Sequence, residues 1–382
     1  MSLYNEFRPA SLEQVKGQDH IVTVIRNQII SGKMGHSHLF IGTRGTGKTT
    51  VAKIMAKAVN CLNPQNGSPC GECENCKAIL NKSTPDVIEM DAASNNGVDN
   101  IRALISSVSY VPTKPMKKKV YIIDEVHMLS TGAFNALLKT IEEPPQDVIF
   151  ILCTTEMHKV PATIASRCQK YQFHRFVSSD LIDNMVTILS QKNIPYEPEA
   201  LNLIARLADG SCRDSLSLLD QIMLYSRGNI TLQSVKDACG MATDQGVRDI
   251  VWYLLNDNDK ALNVLDNEYN KGVEIPRFVE EIIQYLRNLM MFYHSRGKMD
   301  MELSDSTISD FQKFEKVANN VTHIIRLVNV LNECLTNLKT ASLKKLTLEV
   351  AILRCICPEM QIDTTSILER IRRLEESVKV TA

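Results

Sequence analysis

The stretch Gly42-Thr43-Arg44-Gly45-Thr46-Gly47-Lys48-Thr49 fits G-x-x-x-x-G-K-[ST], the pattern of a phosphate-binding loop. The apolar run His38–Ile41 before it predicts a short buried strand, and Thr49–Val59 after it predicts a helix with one apolar face. Glycines between a strand and a helix N-terminus let backbone N–H groups close around an anion. An ordinary glycine-rich turn is the alternative, but every fixed position of the pattern is present in strand–loop–helix order. The stretch therefore predicts a nucleotide site in an α/β domain.

The side chains of this loop predict separate roles. We expect Lys48 to contact the β- and γ-phosphates of ATP, and the Thr49 hydroxyl to ligate Mg²⁺. The remaining predicted nucleotide contacts are Gly42, Thr43, Arg44, Gly45, Thr46, Gly47 and Thr50.

A second apolar run, Val120–Ile123, ends in the adjacent acids Asp124 and Glu125. Two carboxylates at the end of a buried strand are costly to bury unless a cation lies nearby. An ordinary strand exit is the alternative, but the phosphate-binding loop upstream favours an ATPase site. Asp124 is then expected to hold the Mg²⁺ shell, and Glu125 to orient and activate the attacking water.

Four cysteines, Cys61, Cys70, Cys73 and Cys76, follow the predicted loop helix with the spacing C-x8-C-x2-C-x2-C. Four thiolates can surround one tetrahedral Zn²⁺ and leave no position open, so we expect a structural zinc site in an insert at 61–76. A redox or iron–sulfur role is the alternative. The other seven cysteines are scattered and are expected to be reduced thiols.

Bulk composition limits the class of protein. The 382 residues carry a formal net charge of −1, so any contact with nucleic acid would have to be local. No apolar run is long enough to predict a membrane span, and the first residues carry no apolar signal core. We therefore expect a cytoplasmic protein that has no membrane partner.

The order of the apolar runs predicts the domain organisation. Residues 1–177 alternate strands and helices, as is typical of a doubly wound α/β domain with a parallel sheet. The predicted strands are His38–Ile41, Asp86–Met90, Val120–Ile123, Val148–Cys153 and Lys170–Phe173. Residues 178–241 predict a small helical domain, with Ser178-Ser179-Asp180 as the expected N-cap of its first helix. Residues 242–360 predict a second helical domain, and 361–382 a charged helical tail.

Four further positions can be interpreted in two ways from spacing alone. The Thr155 hydroxyl follows the fourth predicted strand, and would either contact the γ-phosphate or the water, or cap the strand. Arg167 is either an arginine finger or a solvated charge, and Arg213 would either reach back to phosphate or pair with the acid beside it. His127 is expected to be a hydrogen-bonded histidine near the core rather than a metal ligand.

In this order the motifs resemble those of the AAA+ ATPases and, more narrowly, of the γ/τ family of bacterial DNA polymerase III, the motors of the sliding-clamp loader. The stretches that carry the resemblance are Phe7-Arg8-Pro9, Val15-Lys16-Gly17-Gln18, the phosphate-binding loop, the four-cysteine insert, Glu89–Ser94, Asp124–Ser130, Phe134–Pro145, Thr154-Thr155-Glu156, Ser166-Arg167-Cys168 and Gly210–Asp214. The resemblance covers residues 1–240, whereas the C-terminal part matches by helical character and position. Phe7 departs from the family, which has tyrosine there.

The resemblance implies an AAA+ domain with a zinc insert, a helical lid and an all-α collar that joins five subunits. It implies the sensor 1 role for Thr155 and the sensor 2 role for Arg213. It also implies that Arg167 is a finger that completes a neighbouring subunit's ATP site. The residues expected near the adenine are Arg8, Pro9 and Val15.

The implied activity is that of an ATPase within a DNA-directed DNA polymerase holoenzyme, a nucleotidyltransferase, which opens the sliding clamp (beta) and loads it onto primed DNA. Expected partners are the delta and delta-prime subunits, further gamma/tau copies in a hetero-pentamer, the clamp, and primer–template DNA held through its phosphates. Weak candidates for DNA contacts are Arg102, Lys159 and the helix starts near Gly97 and Ser130.

Two other functions compete with this interpretation. A branch-migration or protein-unfolding AAA+ ring is disfavoured by the four-cysteine insert and by Ser166-Arg167-Cys168. A non-catalytic subunit of the same complex is disfavoured by the intact phosphate-binding loop and by Asp124-Glu125. Nothing up to Ala382 resembles the helicase- and polymerase-binding domains of the family's longer form, so a short form or a shortened chain is expected.

Overall fold

The structure is a computed structural model. It describes residues 2–108, 110–226, 228–294, 311, 314, 321–360, 364, 366–368, 370, 371 and 374. The chain divides into two compact units, Met1–Val235 and Lys236–Ala382, each of which is described by itself. In both units, no described helix combines the length and the apolar character that crossing a membrane requires.

The first unit combines a sheet with helices on both faces. Its strands are β1 (Ser37–Ile41), β2 (Val87–Asp91), β3 (Lys119–Asp124), β4 (Val148–Thr154) and β5 (Gln169–Gln172). Its helices are α1 (Leu3–Glu6), α2 (Asp19–Ser31), α3 (Lys48–Asn60), α4 (Glu74–Leu80), α5 (Val98–Val108), α6 (Thr131–Glu142), α7 (Ala162–Ala165), α8 (Ser178–Lys192), α9 (Pro198–Leu207), α10 (Cys212–Tyr225) and α11 (Leu232–Ala238), which runs past the boundary between the units. Each predicted strand is confirmed, with its ends within about one residue of the expected positions.

Within the described residues the sheet has the order β2-β3-β4-β1-β5, and every neighbouring pair is parallel. Alternate side chains of one strand face opposite sides of a sheet. Along β4, Phe150 and Leu152 therefore pack on one side, whereas Ile149 and Ile151 pack on the other. Helices cover both sides, which explains why β3 and β4 are near-continuous apolar runs. The predicted doubly wound parallel sheet is confirmed.

The helices after β5 form a bundle that begins differently from the prediction. Helix α8 starts at Ser178 with extended Val177 at its N-cap, and no side chain caps it. The expected cap at Ser178-Ser179-Asp180 is therefore wrong. The neighbouring Phe176 N–H donates to the Gly210 carbonyl at 3.1 Å, so a tertiary contact holds the chain where α8 begins. Sequence propensity alone does not encode such a contact.

The second unit is helical throughout its described part. Its helices are α12 (Asp244–Leu255), α13 (Lys260–Asn270), α14 (Ile275–His294), α15 (Val321–Leu338) and α16 (Lys344–Ile356). Their apolar faces share one core that includes Ile250, Phe278 and Leu331. Of the predicted tail at 361–382, the described positions 364, 366–368, 370, 371 and 374 are helical, and the rest of the tail lies outside the described residues.

A buried carboxylate joins two helices of this unit. Glu268 of α13 is only 2% exposed, and its oxygens accept hydrogen bonds from the Thr243 N–H and hydroxyl, both at 3.0 Å. Lys271 donates to the same carboxylate at 2.6 Å. Gly246 lets the Glu268 side chain pack closely against the start of α12, because a Cβ at this position would lie 2.5 Å from the Glu268 Cδ. Burial raises the pKa of Glu268, but these donors outweigh burial and the net pKa is lowered.

Replacing this carboxylate is therefore expected to destabilise the second unit. Glu268→Ala removes the charged acceptor of the Thr243 N–H and hydroxyl and the partner of Lys271. It should lower the free energy of unfolding by about 2 kcal/mol or more at neutral pH. Because the folded-state pKa is lowered, the stabilisation is present at neutral pH and is lost as the pH falls through the carboxylate range. The measurement is urea unfolding followed by circular dichroism.

A matched control is Glu349→Ala. Glu349 pairs with Lys345 at 3.6 Å on the surface of α16, and a surface pair should contribute less than about 1 kcal/mol. Equal effects of the two substitutions would contradict the assignment of Glu268 as a structural carboxylate.

Candidate active site

The first unit contains a cavity of about 680 Å³ at the carboxyl edge of the sheet. Predicted site residues that line it are Arg8, Pro9, Val15, Arg44, Gly45, Thr46, Gly47, Lys48, Thr49, Thr50, Asp124, Glu125 and Arg213. Gly42 and Thr43 lie at the base of the loop, whereas Thr155 and Arg167 are not among the lining residues. Most of the predicted nucleotide contacts therefore surround one cavity large enough for a nucleotide.

The order of the strands brings two distant motifs together. The phosphate-binding loop follows β1, and Asp124 ends β3, which is not a neighbour of β1. Between them lies β4, in register with β1 so that Ile41 pairs with Thr154. In parallel sheets, ligands bind in the crevice beyond the carboxyl ends of the strands. The loop, the two acids and the end of β4 therefore meet at one edge.

Within the loop, the Lys48 Nζ is buried and donates to the carbonyls of Gly42 at 2.8 Å and Thr43 at 2.9 Å. Burial lowers the pKa of Lys48, and the carboxylates of Glu125 and Asp124 oppose this effect. These contacts hold the ammonium group at the mouth of the loop, at the start of α3. A phosphate there would meet both a lysine and a helix N-terminus.

Gly45 also provides space for the helical bundle to pack on the loop, which the motif does not reveal. Its φ is +77°, and a Cβ there would lie 1.8 Å from the Ser211 Oγ at the start of α10. The Cys212 N–H also donates to the Gly45 carbonyl at 3.2 Å. The helical bundle therefore packs directly on the phosphate-binding loop, and a side chain at Gly45 would separate them.

The two predicted magnesium ligands are adjacent. The Thr49 hydroxyl donates to Asp124 Oδ2 at 2.7 Å, and the Glu125 N–H donates to Asp124 Oδ1 at 3.0 Å. Neighbouring oxygens around an octahedral Mg²⁺ are separated by about 2.9 Å. The hydroxyl and carboxylate oxygens therefore fit this ion in type and in spacing.

Glu125 is held in an unusual conformation. Its φ is +47° and its ψ is +45°, a left-handed geometry that costs energy in residues other than glycine and is concentrated at functional sites. The Thr155 hydroxyl donates to Glu125 Oε2 at 3.2 Å. The hydroxyl that the sequence placed near the γ-phosphate or the water therefore contacts the expected catalytic carboxylate.

His127 also supports this carboxylate. Its side chain is only 6% exposed, and its Nδ1 is 3.2 Å from Thr154 Oγ1 and 3.4 Å from Glu125 Oε2. Its Nε2 is 3.4 Å from Glu156 Oε1. The prediction of a hydrogen-bonded histidine near the core is confirmed, but its position between two acids was missed. That position depends on the end of β4, which spacing in the sequence does not reveal.

Arg213 faces the cavity with an aromatic partner. Its guanidinium carbon is 4.9 Å from the centroid of the Tyr4 ring, and that of Arg8 is 5.7 Å from the same centroid. Arg8 Nε also donates to Thr50 Oγ1 at 3.1 Å. In the part of the chain that the structure describes, no ion pair joins Arg213 to Asp214, so the second interpretation of Arg213 gains no support. Tyr4 was not predicted as a site residue.

Arg167 lies apart from this cavity. It follows α7, its side chain is 41% exposed, and its guanidinium pairs with Glu142 at 2.7 Å. It also donates to the Thr163 carbonyl at 2.8 Å. The structure therefore does not bring Arg167 together with the phosphate-binding loop of its own chain.

The four cysteines converge, with all their sulfur atoms within 4.8 Å of one another. Cys61 Sγ is 3.4 Å from Cys70 Sγ and 4.0 Å from Cys73 Sγ. A turn at Asn66-Gly67 reverses the chain between the first two cysteines, and Cys76 lies in the first turn of α4. The pKa of the Cys70 thiol is lowered, because the Cys73 N–H donates to it. Sulfurs around a tetrahedral Zn²⁺ are about 3.8 Å apart, so the cluster fits a four-thiolate site.

The weak candidates for DNA contacts are at least partly exposed and lie outside the cavity lining. Arg102 pairs with Asp99 at 3.4 Å, and Lys159 pairs with Glu156 at 2.8 Å. Helix α5 begins just after Gly97, and Ser130 caps α6 by accepting from the Ala133 N–H at 3.2 Å. The helix starts are confirmed, and the DNA contacts stay predictions.

Three family models match consecutive parts of the chain. They are described as DNA polymerase III, delta subunit, for residues 17–177; DNA polymerase III clamp loader subunit, ATPase lid domain, for 181–228; and DNA polymerase III subunits gamma and tau domain III, for 230–371. The chain is 38% identical to DNA polymerase III subunit tau of Bacillus subtilis over an alignment that covers 99% of this chain and 68% of that protein. It is 36% identical to subunit gamma of Buchnera aphidicola (subspecies Baizongia pistaciae), covering 94% of this chain and 95% of that protein.

The chain belongs to the gamma and tau subunit family of bacterial DNA polymerase III. Members of this clamp-loader family differ in length. The chain spans 47% of the Escherichia coli tau subunit, to which it is 39% identical. The family and the α/β ATPase fold with a lid and a helical domain are thus confirmed, and the clamp-loader models give no support to the branch-migration alternative.

The chain also has a limited likeness to a solved structure. The Thermotoga maritima RuvB Holliday junction branch migration motor superposes with a TM-score of 0.46 and 17% identity, covering 70% of this chain and 86% of that one. At this level of similarity, the match carries no information about the function of this chain.

The contacts of Glu125 predict separate effects on binding and turnover. Glu125→Gln keeps the shape but is a poor base, so ATP affinity should stay nearly unchanged while steady-state hydrolysis falls by about 10² to 10⁴-fold. The measurements are equilibrium binding of a labelled ATP analogue and phosphate release.

Glu156→Gln is the matched control, because Glu156 also contacts His127 but does not line the cavity. It should retain most of the basal hydrolysis. Turnover by Glu125→Gln at a near wild-type rate would show that Glu125 is not the catalytic acid.

Proposed function

We propose that this chain is the ATP-hydrolysing motor subunit of a bacterial clamp loader, which opens a ring-shaped sliding clamp and places it on primed DNA. The observation that carries the proposal is the meeting of Lys48, Thr49, Asp124 and Glu125 at one cavity, in a chain of the gamma and tau family. Inactive relatives would not need all four groups at one edge of the sheet.

The geometry supports a definite part for each group in hydrolysis. Lys48 and the loop N–H groups would hold the β- and γ-phosphates, and Thr49 and Asp124 would hold Mg²⁺, which neutralises charge on the phosphate oxygens when bound. Glu125 would orient and deprotonate the attacking water. Thr155 and the nearby His127 would hold its carboxylate in place, because both contact Glu125 Oε2.

Residues around the rest of the cavity would recognise the nucleotide itself. Arg8, Pro9 and Val15 lie on its lining, where they would contact the adenine. Arg213 belongs to the bundle that rests on the loop, so its charge would report whether a γ-phosphate is present. A movement of this bundle would then follow each cycle of binding and hydrolysis.

The proposed setting is a hetero-pentamer in the bacterial cytoplasm. The chain would assemble with delta, delta-prime and further gamma/tau copies, chiefly through residues 242–360. Its partners would be the beta clamp and primer–template DNA. The clamp-loader family models support a multi-subunit complex, and the individual partners are proposals.

ATP hydrolysis in the assembled complex tests this function. The family resemblance implies that Arg167 completes the site of a neighbouring subunit, and its position on the surface, away from the cavity of its own chain, is compatible with this role. Arg167→Ala should therefore bind ATP normally but lose hydrolysis stimulated by primed DNA and clamp, by about 10³-fold or more. Lys48→Ala should lose ATP binding, and Arg206→Ala, an exposed arginine of α9, should behave as wild type.

Mixing the two defective chains distinguishes a contact between subunits from one within a chain. An Arg167→Ala subunit keeps its own loop and can use Arg167 of a Lys48→Ala neighbour, so activity should return in mixed rings. If mixed rings form and remain inactive, Arg167 does not act across the interface. If wild-type complex is not stimulated by clamp and primed DNA, the proposed function itself is wrong.

The four-thiolate cluster is proposed to hold one structural Zn²⁺. Elemental analysis should find one zinc per chain, and X-ray absorption should find sulfur neighbours alone. Cys73→Ser should lose the metal and destabilise the insert while ATP affinity is retained, because a site closed by four sulfurs has no room for substrate. The control is Cys239→Ser, a partly buried thiol outside the cluster. Metal-free wild-type chain with an ordered insert would refute the zinc assignment.

A further inference from the structure

One aromatic ring lies next to both arginines of the cavity. The Tyr4 ring centroid is 4.9 Å from the guanidinium carbon of Arg213 and 5.7 Å from that of Arg8, within the range of cation–π attraction. All three residues line the cavity. In the described part of the chain, no carboxylate forms an ion pair with Arg213, whereas the Tyr4 ring lies beside its guanidinium group.

The last residue of the short helix that carries Tyr4, and the residues directly after it, contact two other helices. On one side, Arg8 donates to Thr50 in α3, the helix of the phosphate-binding loop. On the other side, Lys192 at the end of α8 pairs with both Glu6 oxygens, at 2.9 and 3.0 Å. The Lys192 ammonium also lies 5.4 Å from the centroid of the Phe7 ring. The segment around α1 therefore connects the loop helix to the helical bundle.

We propose that Tyr4 is a positioning residue, whose ring holds the Arg213 guanidinium at the cavity and so couples the helical bundle to the bound nucleotide. The proposal rests on the proposed ATP site and extends it to a residue outside the motifs. Two guanidinium groups beside one ring concentrate positive charge at the cavity, which favours an anionic ligand. A ring that fixes Arg213 reduces the conformational freedom that the arginine would lose on contacting phosphate.

This role predicts an effect on nucleotide preference rather than on binding in general. Arg213 can favour ATP over ADP only if its charge reaches the terminal phosphate. Tyr4→Leu, which removes the ring, should lower the ATP-over-ADP preference by about two- to fivefold, the change expected from losing one partly exposed cation–π contact. Tyr4→Phe should keep the wild-type preference for ATP over ADP, because phenylalanine retains the π face.

The experiment uses the full chain and equilibrium binding of a non-hydrolysable ATP analogue and of ADP. Tyr4→Leu is measured in the wild-type and in the Arg213→Ala background, so that the pair forms a double-mutant cycle. The matched control is Tyr269→Leu, which removes a ring 5.0 Å from Lys345 in the second unit. It should leave the preference unchanged.

Fluorinated phenylalanines at position 4 supply a second measurement that keeps the shape of the ring. Each added fluorine weakens the negative face of the ring, so the preference should fall stepwise with fluorination while the secondary structure is retained. This series keeps the proposal testable if Tyr4→Leu fails to fold.

The results separate the possible explanations. The proposal is supported if the effect of Tyr4→Leu disappears in Arg213→Ala and the fluorinated series declines. An equal loss of ATP and ADP affinity, an undiminished effect in Arg213→Ala, or a flat fluorinated series would overturn it. Failure of the wild-type chain to bind ATP would instead overturn the proposed ATP site.

Discussion

The hydrogen bond between Thr49 and Asp124, 2.7 Å long, joins two motifs that lie 75 residues apart in the chain. It forms because a parallel sheet collects the carboxyl ends of its strands at one edge, and because β4 separates β1 from β3 by a single strand. A different strand order would move Asp124 away from the loop and leave a half-buried carboxylate without this partner. The remaining groups of the site lie around this pair of residues.

The contacts around Glu125 show how the fold maintains a strained residue. Its left-handed backbone has an energetic cost, which the surrounding hydrogen bonds must offset. The Asp124 carboxylate accepts from its N–H, while Thr155 and His127 contact its side chain. Because Thr155 follows β4 directly, any shift of that strand would also move the carboxylate that is expected to activate water. Catalytic geometry and sheet packing are therefore linked.

The bundle after β5 contacts the loop itself rather than only its flanking helices. Ser211 packs on Gly45, and the Cys212 N–H donates to its carbonyl. A phosphate held by the loop would therefore lie close to the helical bundle. The segment around α1 provides a second connection, through Arg8 to Thr50 and through Lys192 to Glu6. Both connections therefore join the loop or its helix to the helical bundle by direct contacts.

The sequence by itself determined the types and local order of the elements, because these depend on short-range chemistry. Alternating apolar runs predicted the strands to within about one residue, the loop pattern predicted Lys48 and Thr49, and cysteine spacing predicted the sulfur cluster. Only the tertiary structure decided which distant groups meet. Strand order and helix packing place Tyr4 beside Arg213, Ser211 on Gly45, and His127 between two acids. The spacing of these residues in the chain carries no periodic signal, so the sequence alone does not reveal the contacts.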